Sequence, residues 1–509
     1  MTPPPFAARH RADNRATAEI TMSIYRKLGV EPFVNCGFSR SFYGNSTPSE
    51  GVRAAMDSAA RDHVLMAELA EAAGRRLAEL TGAEWGMVTS GSAGGLTLAA
   101  AACVAANDPL RMLRLPASFD GRERVVLMPA GQRFAYDQGV RIVGARIEEV
   151  AGVEALKAAL TAQNVVAILV FGERDPGAPL TFDDLLPHAR QAGVPVIVDA
   201  ASEFLGHPES WTARGADLVV YSVGKRMRGP AATGLLLGRK ALVRAAWCNS
   251  PPNQSFGRMM KISKEQIVGA VTAVEEWFAR DHAAEERRWD EMLERLRERL
   301  RAVEGVALEL RGALASTLRL RVDWSACQPN LTYLALRDRL LARRPRILID
   351  DYGADTHSTL ISPFALRDGE VDLVADALIE AFTARHPEPS PVAVLPLDPG
   401  GEWTLTIDFA HGPATHGLAL SRQGDDLSGT HLTPFGDAPA RGAMTAWGFE
   451  VQSLHLVEGN TASFRFVAEE CAQGRLSGFV EMGAAASHTR GPTTFSQFGR
   501  VAFTATRAG

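Results

Sequence analysis

The chain has 509 residues, and at about 150 residues per domain this length predicts roughly two or three domains. Hydrophobic residues make up 46% of the chain and charged residues 22%, which excludes the disordered and fibrous classes. The net charge of −5, from 54 basic and 59 acidic residues, provides no positive field for a nucleic-acid backbone, so we expect no nucleic-acid partner.

Cysteine usage and the N-terminus indicate the compartment. The five cysteines are far apart and form no C-x-x-C pair, which argues against a disulfide framework and a thiolate zinc site. No run approaches the roughly 18 uninterrupted apolar residues of a membrane helix. Residues 1–23 carry charges where a secretion signal needs an apolar stretch. We therefore expect a loose N-terminal leader and a cytoplasmic protein without a membrane partner.

Residues 24–263 alternate helix-like stretches with short apolar runs, which is typical of βαβ units around a mostly parallel sheet. Leucines at helical spacing predict a helix that ends at Thr81 and Gly82, where glycine can cap it. The apolar runs predict strands at 85–89, 124–128, 165–171, 194–199 and 218–222. Further helices are predicted at 93–106, 137–142, 153–162 and 182–192.

Residues 264–390 are predicted to form a helical connection and a smaller α+β domain. Residues 264–303 have the pattern of one long helix or two joined helices, with charged residues paired on a solvated face. Strands at 306–310, 316–322 and 346–350 and helices at 330–342 and 370–385 are predicted to follow. Prolines then indicate a linker at 391–401.

Residues 402–509 consist of short alternating segments separated by turns. In WTLTIDFA, for example, Trp403, Leu405, Ile407 and Phe409 share one face. The pattern predicts an all-β C-terminal domain, either a meander or a small closed barrel. Ligand binding, shielding of an active site and oligomer formation stay open as its role.

Three histidines in this C-terminal region suggest a metal site at first sight. His411 and His416 flank a turn-like Gly-Pro, and His431 follows at a distance, but no cysteine is close. We interpret the three as isolated polar strand residues and predict no metal.

In the large domain, a buried strand ends at Ser222 and delivers Lys225 into a glycine-flanked loop, LVVYSVGKRMRGP. Open α/β sheets bind ligands beyond the carboxyl ends of their strands. There a lysine that is partly desolvated and close to Arg226 and Arg228 has a lowered pKa and is nucleophilic towards an aldehyde. The chain contains only six lysines, which favours this role over that of an ordinary surface lysine.

Two other strand ends carry matching chemistry. The strand VPVIVDAASE ends in Asp199, a carboxylate that could pair with a protonated pyridine nitrogen; a helix cap is the alternative. After another strand, Ser90, Gly91 and Ser92 open a helix, and its free N–H groups and small hydroxyls form a phosphate cup. The three features in this order are more specific than any one of them.

With these motifs the chain resembles fold-type I pyridoxal phosphate (PLP) enzymes, in the branch of selenocysteine synthase and D-glucosaminate-6-phosphate ammonia-lyase. The likeness extends from about residue 24 to 385. The segments that carry it include YRKLGVEPFVNCG, ELAEAAGRRLAELTGAEWGMVTSGSAGGLTLAAAAC, YDQGVRIVGARIEEV, VPVIVDAASE, SVGKRMRGPAATGLLLGRKAL and GRMMKISKEQIVGAVTAVEEW.

The resemblance implies that Lys225 forms the internal aldimine and that Asp199 pairs with the pyridine nitrogen. It implies that Gly91, Ser92 and Ser222 help to hold the phosphate, together with the neighbouring Ser90. It also implies a homodimer or a larger homo-oligomer, because in this fold neighbouring subunits complete each other's sites.

Four further residues are candidates for cofactor or substrate contacts. The branch usually has a histidine that stacks on the cofactor, and here Gln132 takes that place, which puts the stacking and acid–base duties of that histidine in question. Arg40 could bind a substrate carboxylate or phosphate, and Tyr43 could reach the cofactor; packing or ion pairing is the alternative for both. Arg258 is a candidate anion ligand, with a surface ion pair as its alternative.

These features predict a PLP-dependent lyase that acts by α,β-elimination, with release of ammonia, on a hydroxy-amino acid or amino-sugar acid. Lys225 is the natural base for the Cα proton. Racemisation, aldol cleavage and β-replacement, including selenium transfer, would use the same residues. A further alternative is a protein that binds the cofactor without turnover and serves in assembly.

Overall fold

The computed structural model describes residues 23–508 with the exception of 119–120, 163, 207–209, 314–315, 387–397, 447, 473 and 487–495. The predicted leader, apart from its last residue, and most of the predicted linker lie outside the described residues.

Eight of the helices begin after a residue whose side chain accepts a hydrogen bond from a free backbone N–H group of the first turn. Ser263 and Gln266 form a capping box at one start, and Thr181 and Asp184 form another. In chain order the helices are α1 Ile24–Lys27, α2 Glu50–Ala59, α3 Met66–Thr81, α4 Gly91–Ala105, α5 Pro109–Arg114, α6 Gln138–Arg141, α7 Val153–Leu160, α8 Phe182–Ala192, α9 Trp211–Arg214, α10 Lys240–Cys248, α11 Lys264–Ala279, α12 His282–Leu300, α13 Tyr333–Ala342 and α14 Glu370–Thr383.

The large domain is built on one seven-stranded sheet. Its first strands, with a short N-terminal one, are β1 Phe33–Asn35, β2 Trp85–Ser90, β3 Arg124–Pro129, β4 Ala145–Val150, β5 Val165–Phe171, β6 Val196–Asp199, β7 Leu218–Ser222 and β8 Thr233–Gly238. The sheet order is β2-β8-β7-β6-β5-β3-β4, and every neighbouring pair is parallel except the two that involve β8. The expected mostly parallel sheet is confirmed.

Two strands of this sheet were not predicted. β4 lies at the sheet edge and alternates buried and exposed residues, so it lacks the continuous apolar run of a strand covered on both faces. β8 is fully buried, but its sequence, TGLLLG, has a glycine near each end. Glycine weakens a strand prediction and favours a turn when the sequence is considered alone. Its antiparallel course follows from the short connection after β7, which is too short for a crossover helix.

The buried faces of the sheet are covered by apolar helices. α4 is the most apolar of them, and 11 of its 15 residues are buried. It therefore packs inside the domain rather than in a bilayer. Within the described ranges, no helix has both the length and the apolarity needed to cross a membrane.

The smaller domain packs α12 and α14 against a four-stranded sheet. The four strands of this sheet are β9 Ala307–Ala313, β10 Ser316–Asp323, β12 Asp350–Asp355 and β13 Ser358–Ile361, in the order β12-β13-β10-β9, and a fifth strand, β11 Arg346–Leu348, lies outside it. The helical connection is two helices, α11 and α12, not one. β1 pairs in parallel with β11, and this pairing brings the N-terminal segment after Asn35 to the smaller domain.

The C-terminal region is a closed antiparallel barrel of eight strands, which decides between the two predicted alternatives. The strands are β14 Gly401–Phe409, β15 Gly412–Gln423, β16 Asp426–Thr433, β17 Gly436–Met444, β18 Phe449–Val457, β19 Asn460–Ala472, β20 Arg475–Ala486 and β21 Ser496–Arg507. β21 pairs with both β20 and β14 and so closes the barrel. β16 and β17 were not predicted, because glycine, alanine and histidine replace large apolar residues along them.

Candidate active site

The carboxyl ends of the parallel strands bring the predicted residues together. Phe171, the last residue of β5, is paired with Asp199, the last residue of β6, and Asp199 is paired with Val220 on β7. Three residues after β7 ends, the loop carries Lys225. Because these strands run in the same direction, their functional side chains meet at one edge of the sheet.

Lys225 is half-buried at this edge of the sheet, close enough to Asp199 for the two charges to interact. Its Nζ donates a hydrogen bond to Oγ of Ser202 at 2.8 Å. Burial lowers the pKa of Lys225, and the negative charges of Asp199 and Glu173 oppose that shift. A lysine with a lowered pKa holds a larger share of the neutral amine, which is the nucleophilic form.

Asp199 is 3% exposed, and its Oδ1 accepts a hydrogen bond from the backbone N–H of Ala201 at 2.9 Å. Burial raises the pKa of Asp199 to about 6, while the Ala201 hydrogen bond and the charge of Lys225 lower it. A second cation beside this carboxylate would therefore be stabilised, and a protonated ring nitrogen is such a cation.

The predicted phosphate cup is the N-terminus of α4. Gly91 is the first residue of this helix and has φ +69°, and no atom lies within 4 Å of the position that a Cβ on it would take. A Cβ on Gly234 of β8 would lie 2.6 Å from the Ser92 nitrogen, so β8 passes directly under the cup. Ser222 is the register partner of Gly234, which places Ser222 beside the cup as well.

Gln132 is 1% exposed and lies in the loop after β3. Its Oε1 accepts a hydrogen bond from the backbone N–H of Phe171 at 2.8 Å, and its Nε2 has no hydrogen-bond partner among the described residues. Phe134 of the same loop stacks on Phe171 with ring centroids 4.4 Å apart. The amide of Gln132 thus leaves one buried donor for a ligand.

Sequence reasoning missed three residues near this site. Ser202 lies three residues after Asp199, a spacing that could have suggested it. Glu173 follows the end of β5, where the rule applied to Asp199 also holds. Tyr136 is 58% exposed, but loss of solvent around its hydroxyl raises its pKa, and the charge of Asp199 raises the pKa further. Tyr136 lies in the YDQG segment and keeps its proton at neutral pH.

The structure places Arg40 and Tyr43 at the smaller domain. The Arg40 guanidinium forms ion pairs with Asp350 and Asp351 and donates to the Tyr43 hydroxyl at 3.4 Å. Burial raises the pKa of Tyr43, and Asp350 raises it further. The two aspartates offset much of the charge that Arg40 would offer to a substrate anion.

Arg258 lies in a short 3-10 helix, Phe256–Met259, and is half-buried. No salt bridge joins it to another residue in the part of the chain that the structure describes. The next residue but one, Met260, lies near Gly94 in the first turn of α4. This brings the Arg258 segment close to the phosphate cup.

Comparisons with known proteins agree with this geometry. Residues 124–334 match the family model Aminotransferase class-V. A 5'-C-glycyluridine monooxygenase-decarboxylase of Streptomyces is 36% identical over 387 residues, which cover 72% of this chain and 93% of that protein.

The chain belongs to the class-V aminotransferase family of PLP enzymes.

The D-glucosaminate-6-phosphate ammonia lyase of Salmonella typhimurium is 28% identical over 373 residues, covering 71% of this chain and 98% of that protein. The solved structure of a D-glucosaminate-6-phosphate ammonia-lyase superposes with a TM-score of 0.63 at 27% identity and covers 71% of this chain and 99% of that one. The predicted ammonia-lyase resemblance is therefore confirmed, whereas the selenocysteine synthase part of it stays a prediction. These matches leave more than a quarter of this chain without a counterpart.

The residues present fit the cofactor of this family. One edge of the sheet carries Lys225, whose lowered pKa favours the neutral amine, the buried carboxylate of Asp199 and the open N-terminus of α4. The buried Nε2 of Gln132 lacks a hydrogen-bond partner among the described residues and is available to a ligand. The protein is thus a PLP-dependent enzyme that acts on a small molecule.

The interpretation of the barrel histidines as isolated strand residues was wrong for His416 and His431, whereas His411 lies at an exposed turn. His416 Nδ1 lies 2.8 Å from His431 Nε2, and His431 Nδ1 lies 2.9 Å from His455 Nε2 and 2.7 Å from Ser453 Oγ. Both nitrogens of His431 are used within this chain, which we call the histidine chain. In the described ranges, no three His, Cys, Asp or Glu side chains are arranged to hold a metal ion.

Proposed function

We propose that the protein is a PLP-dependent lyase that removes a β-hydroxyl group and then ammonia from an α-amino acid with a polar, hydroxylated side chain. The observation that carries the proposal is that half-buried Lys225 and buried Asp199 lie beyond the carboxyl ends of neighbouring strands, at the same edge of the sheet as the α4 N-terminus. The ammonia lyases among the relatives support the reaction.

Each part of the cofactor has a counterpart in the chain. Lys225 would attach the aldehyde carbon covalently, and Asp199 would hold the protonated ring nitrogen. We propose that the phosphate and the ring of PLP are contacted by five further residues: Ser90, Gly91, Ser92, Ser222 and Gln132. When bound, PLP supplies a ring that accepts the electron pair left at the substrate Cα.

Proton transfers fall to two side chains. The Lys225 amine, held by the Ser202 hydroxyl, would accept the Cα proton of the substrate. Tyr136 is protonated at neutral pH and donates a proton to the departing β-hydroxyl, which leaves as water. The Lys225 amine would retake its bond to the cofactor as the dehydrated product leaves, and water would then hydrolyse that product to a 2-oxo acid and ammonia. The proton that Lys225 accepted would return through solvent to Tyr136.

The substrate side chain would lie towards the smaller domain. The relatives' names specify an amino-sugar acid phosphate and a glycyl-nucleoside, and both are amino acids with a large polar group. We propose that Tyr43 and Arg40, with Asp350 and Asp351, bind hydroxyl groups of this part, since a paired arginine and carboxylates offer both donors and acceptors. Arg258 is proposed to bind an anionic end.

Decarboxylation is a second candidate. The relative with 36% identity is named a monooxygenase-decarboxylase, and Gln132 replaces the histidine expected for the ammonia-lyase branch. This reaction would consume O₂ and release CO₂, whereas elimination consumes no O₂ and releases ammonia with a 2-oxo acid.

One experiment separates the candidates. The purified protein is loaded with PLP and incubated with a panel of β-hydroxy amino acids and amino-sugar acids, and ammonia, 2-oxo acid, CO₂ and O₂ are measured together. Ammonia with an equal amount of 2-oxo acid supports the lyase, and CO₂ with O₂ uptake supports the second candidate. A protein that binds no PLP, or that turns over none of the panel, contradicts both.

We also propose a homodimer or larger homo-oligomer. Large apolar side chains are exposed at the end of the N-terminal helix and on α5, including Leu28 at 73% and Leu110 at 75%. Light scattering that gives the mass of a single chain at micromolar concentration would contradict this proposal.

A further inference from the structure

The turn between β18 and β19 of the barrel contacts the active-site loop 130–137, which we call the cofactor loop. Glu458 of the turn forms an ion pair with Arg133 and lies 3.8 Å from Arg141. Nδ2 of Asn460 donates to the carbonyl oxygen of Ala135 at 3.5 Å. Arg133 also donates to the buried carboxylate of Asp137 at 2.6 Å. Through Arg133, the barrel turn is therefore linked to Asp137 at the end of the cofactor loop.

The close contact between the barrel turn and the cofactor loop requires glycine at position 459. A Cβ at this position would lie 2.6 Å from the backbone nitrogen of Phe134 and closer still to its carbonyl group. Backbone cannot yield as a flexible side chain can. Only glycine allows the barrel turn and the loop to approach this closely.

Glu458 is unfavourable for the turn itself. Its φ is +54°, in the left-handed region where a side chain is strained and where hairpin turns prefer glycine. A turn at the opposite end of the barrel, between β15 and β16, has glycine in this conformation: Gly424 takes φ +64°, and no atom lies within 4 Å of the position that a Cβ on it would take. The Glu458 carboxylate compensates for the strain by pairing with the cofactor loop.

The cofactor loop carries residues of the active site. Gln132 of this loop has a buried amide nitrogen without a hydrogen-bond partner among the described residues. Tyr136 of the same loop lies close enough to Asp199 for the negative charge of Asp199 to raise the pKa of Tyr136. Phe134, which the turn contacts through Gly459, stacks on Phe171, the register partner of Asp199. A shift of the loop would therefore move groups on two sides of the cofactor site.

We propose that Glu458 and Gly459 are positioning residues, through which the barrel holds the cofactor loop in its working position. This inference rests on the proposed function insofar as Gln132 and Tyr136 serve cofactor and substrate. It assigns the barrel a role in the active site of its own chain.

The first test is Glu458→Gly in the full-length protein. Glycine removes the left-handed strain together with the ion pair, so the melting temperature of the barrel should be unchanged or higher, whereas kcat/KM should fall by about two- to fivefold, as for loss of a partly exposed ion pair. Glu481→Gln removes a comparable barrel ion pair, to Arg465 at 2.6 Å, and should change neither quantity.

The second test is Gly459→Ala, with Gly424→Ala as the matched control. Both variants add one methyl group to a barrel turn, but only the first pushes on Phe134. We expect kcat/KM and PLP affinity to fall by about 10- to 100-fold in Gly459→Ala, since displacements of about 1 Å have effects of that size. Gly424→Ala should lower only the melting temperature of the barrel, because of its φ.

A third readout does not need the reaction. In the PLP-free full chain, hydrogen exchange of peptides that cover residues 130–137 should be faster in Glu458→Gly and Gly459→Ala than in the two controls. Exchange equal to wild type in both variants overturns the inference. Failure of the proposed reaction would appear instead as an inactive wild-type protein whose loop still responds to these variants, and that result keeps the positioning role.

Discussion

The active site and the barrel interior each bury a group of titratable side chains, and the two groups have opposite electrostatics. At the sheet edge, Asp199 and Lys225 carry opposite charges, and each offsets part of the burial cost of the other. In the histidine chain, three imidazoles adjoin one another, and each has a lowered pKa because burial favours the neutral form. At His455 the negative charge of Asp437 opposes this lowering of the pKa.

This difference shows which group can do chemistry on a charged ligand. Neutral imidazoles that satisfy each other's hydrogen bonds stabilise one packed barrel and leave no charge for a ligand. The pair at the sheet edge retains charge under partial desolvation, which is the state of a nucleophile and its electrostatic partner. Four predictions test the comparison, in order of decreasing effect.

Lys225→Ala should abolish covalent attachment of PLP and lower ammonia release by more than about a thousandfold, because the nucleophile and the base are lost together. Borohydride reduction should attach PLP permanently to the wild-type protein, so that its absorbance stays with the protein after denaturation, but it should not do so in Lys225→Ala. Lys157→Ala, which removes an exposed lysine paired with Glu154, is the matched control and should behave as wild type. Full activity in Lys225→Ala would remove the basis of the proposed function.

Asp199→Asn keeps the size of the side chain and removes its charge. We expect kcat to fall by about a hundredfold, as for loss of one preorganised electrostatic contact, with a smaller change in melting temperature. The absorption maximum of bound PLP should also shift, since the ring nitrogen loses its anionic partner. An unchanged spectrum and kcat would show that Asp199 acts as a turn residue through Ala201 alone.

Ser202→Ala removes the hydrogen bond to the Lys225 amine. A neutral hydrogen bond is worth about 0.5–1.5 kcal/mol, so we expect a loss of about 2- to 12-fold in kcat. The pH profile of kcat should shift as well, because Ser202 orients the amine that accepts the proton. A change in stability without a change in this profile would reduce Ser202 to a packing residue.

The two groups should respond to acid with opposite signs in the PLP-free protein. The pKa of His431 is lowered to about 3 in the fold, so between its usual value of about 6.5 and this value the unfolded chain binds more protons, and the barrel loses stability as pH falls. The pKa of Asp199 is raised to about 6, so between its usual value of about 4 and 6 the folded state binds more protons, and acid favours the fold.

Peptide-resolved unfolding at pH 7 and pH 5 measures this difference. From pH 7 to pH 5, the melting temperature of the wild-type barrel, followed through its peptides, should fall by about 2–5 °C. The melting temperature of the His431→Asn barrel should fall less over the same interval. His411→Asn, at an exposed turn of the same barrel, is the control and should follow wild type. Equal pH dependence in both variants would contradict the assignment of acid sensitivity to the histidine chain.

Much of the fold could be predicted because local pattern and burial agree. Strands β5 and β7 are continuous apolar runs covered on both faces, and their predicted bounds match the structure. β4, β16 and β17 could not be predicted, because an edge position or small and polar inward residues replace the apolar pattern. Their strand character comes from neighbours that are distant in the chain.

By itself, the sequence determined the chemistry of the site: a scarce lysine after one strand, an aspartate at the end of another and a glycine-serine helix start. Parallel strands bring such ends to one edge whatever the details of packing. Only the tertiary structure decided the pairing of Arg40 with Asp350 and Asp351, the histidine chain and the contact of Gly459 with Phe134. These contacts join residues up to 325 positions apart, as for Arg133 and Glu458, and such closeness is set by how domains pack, which no local pattern encodes.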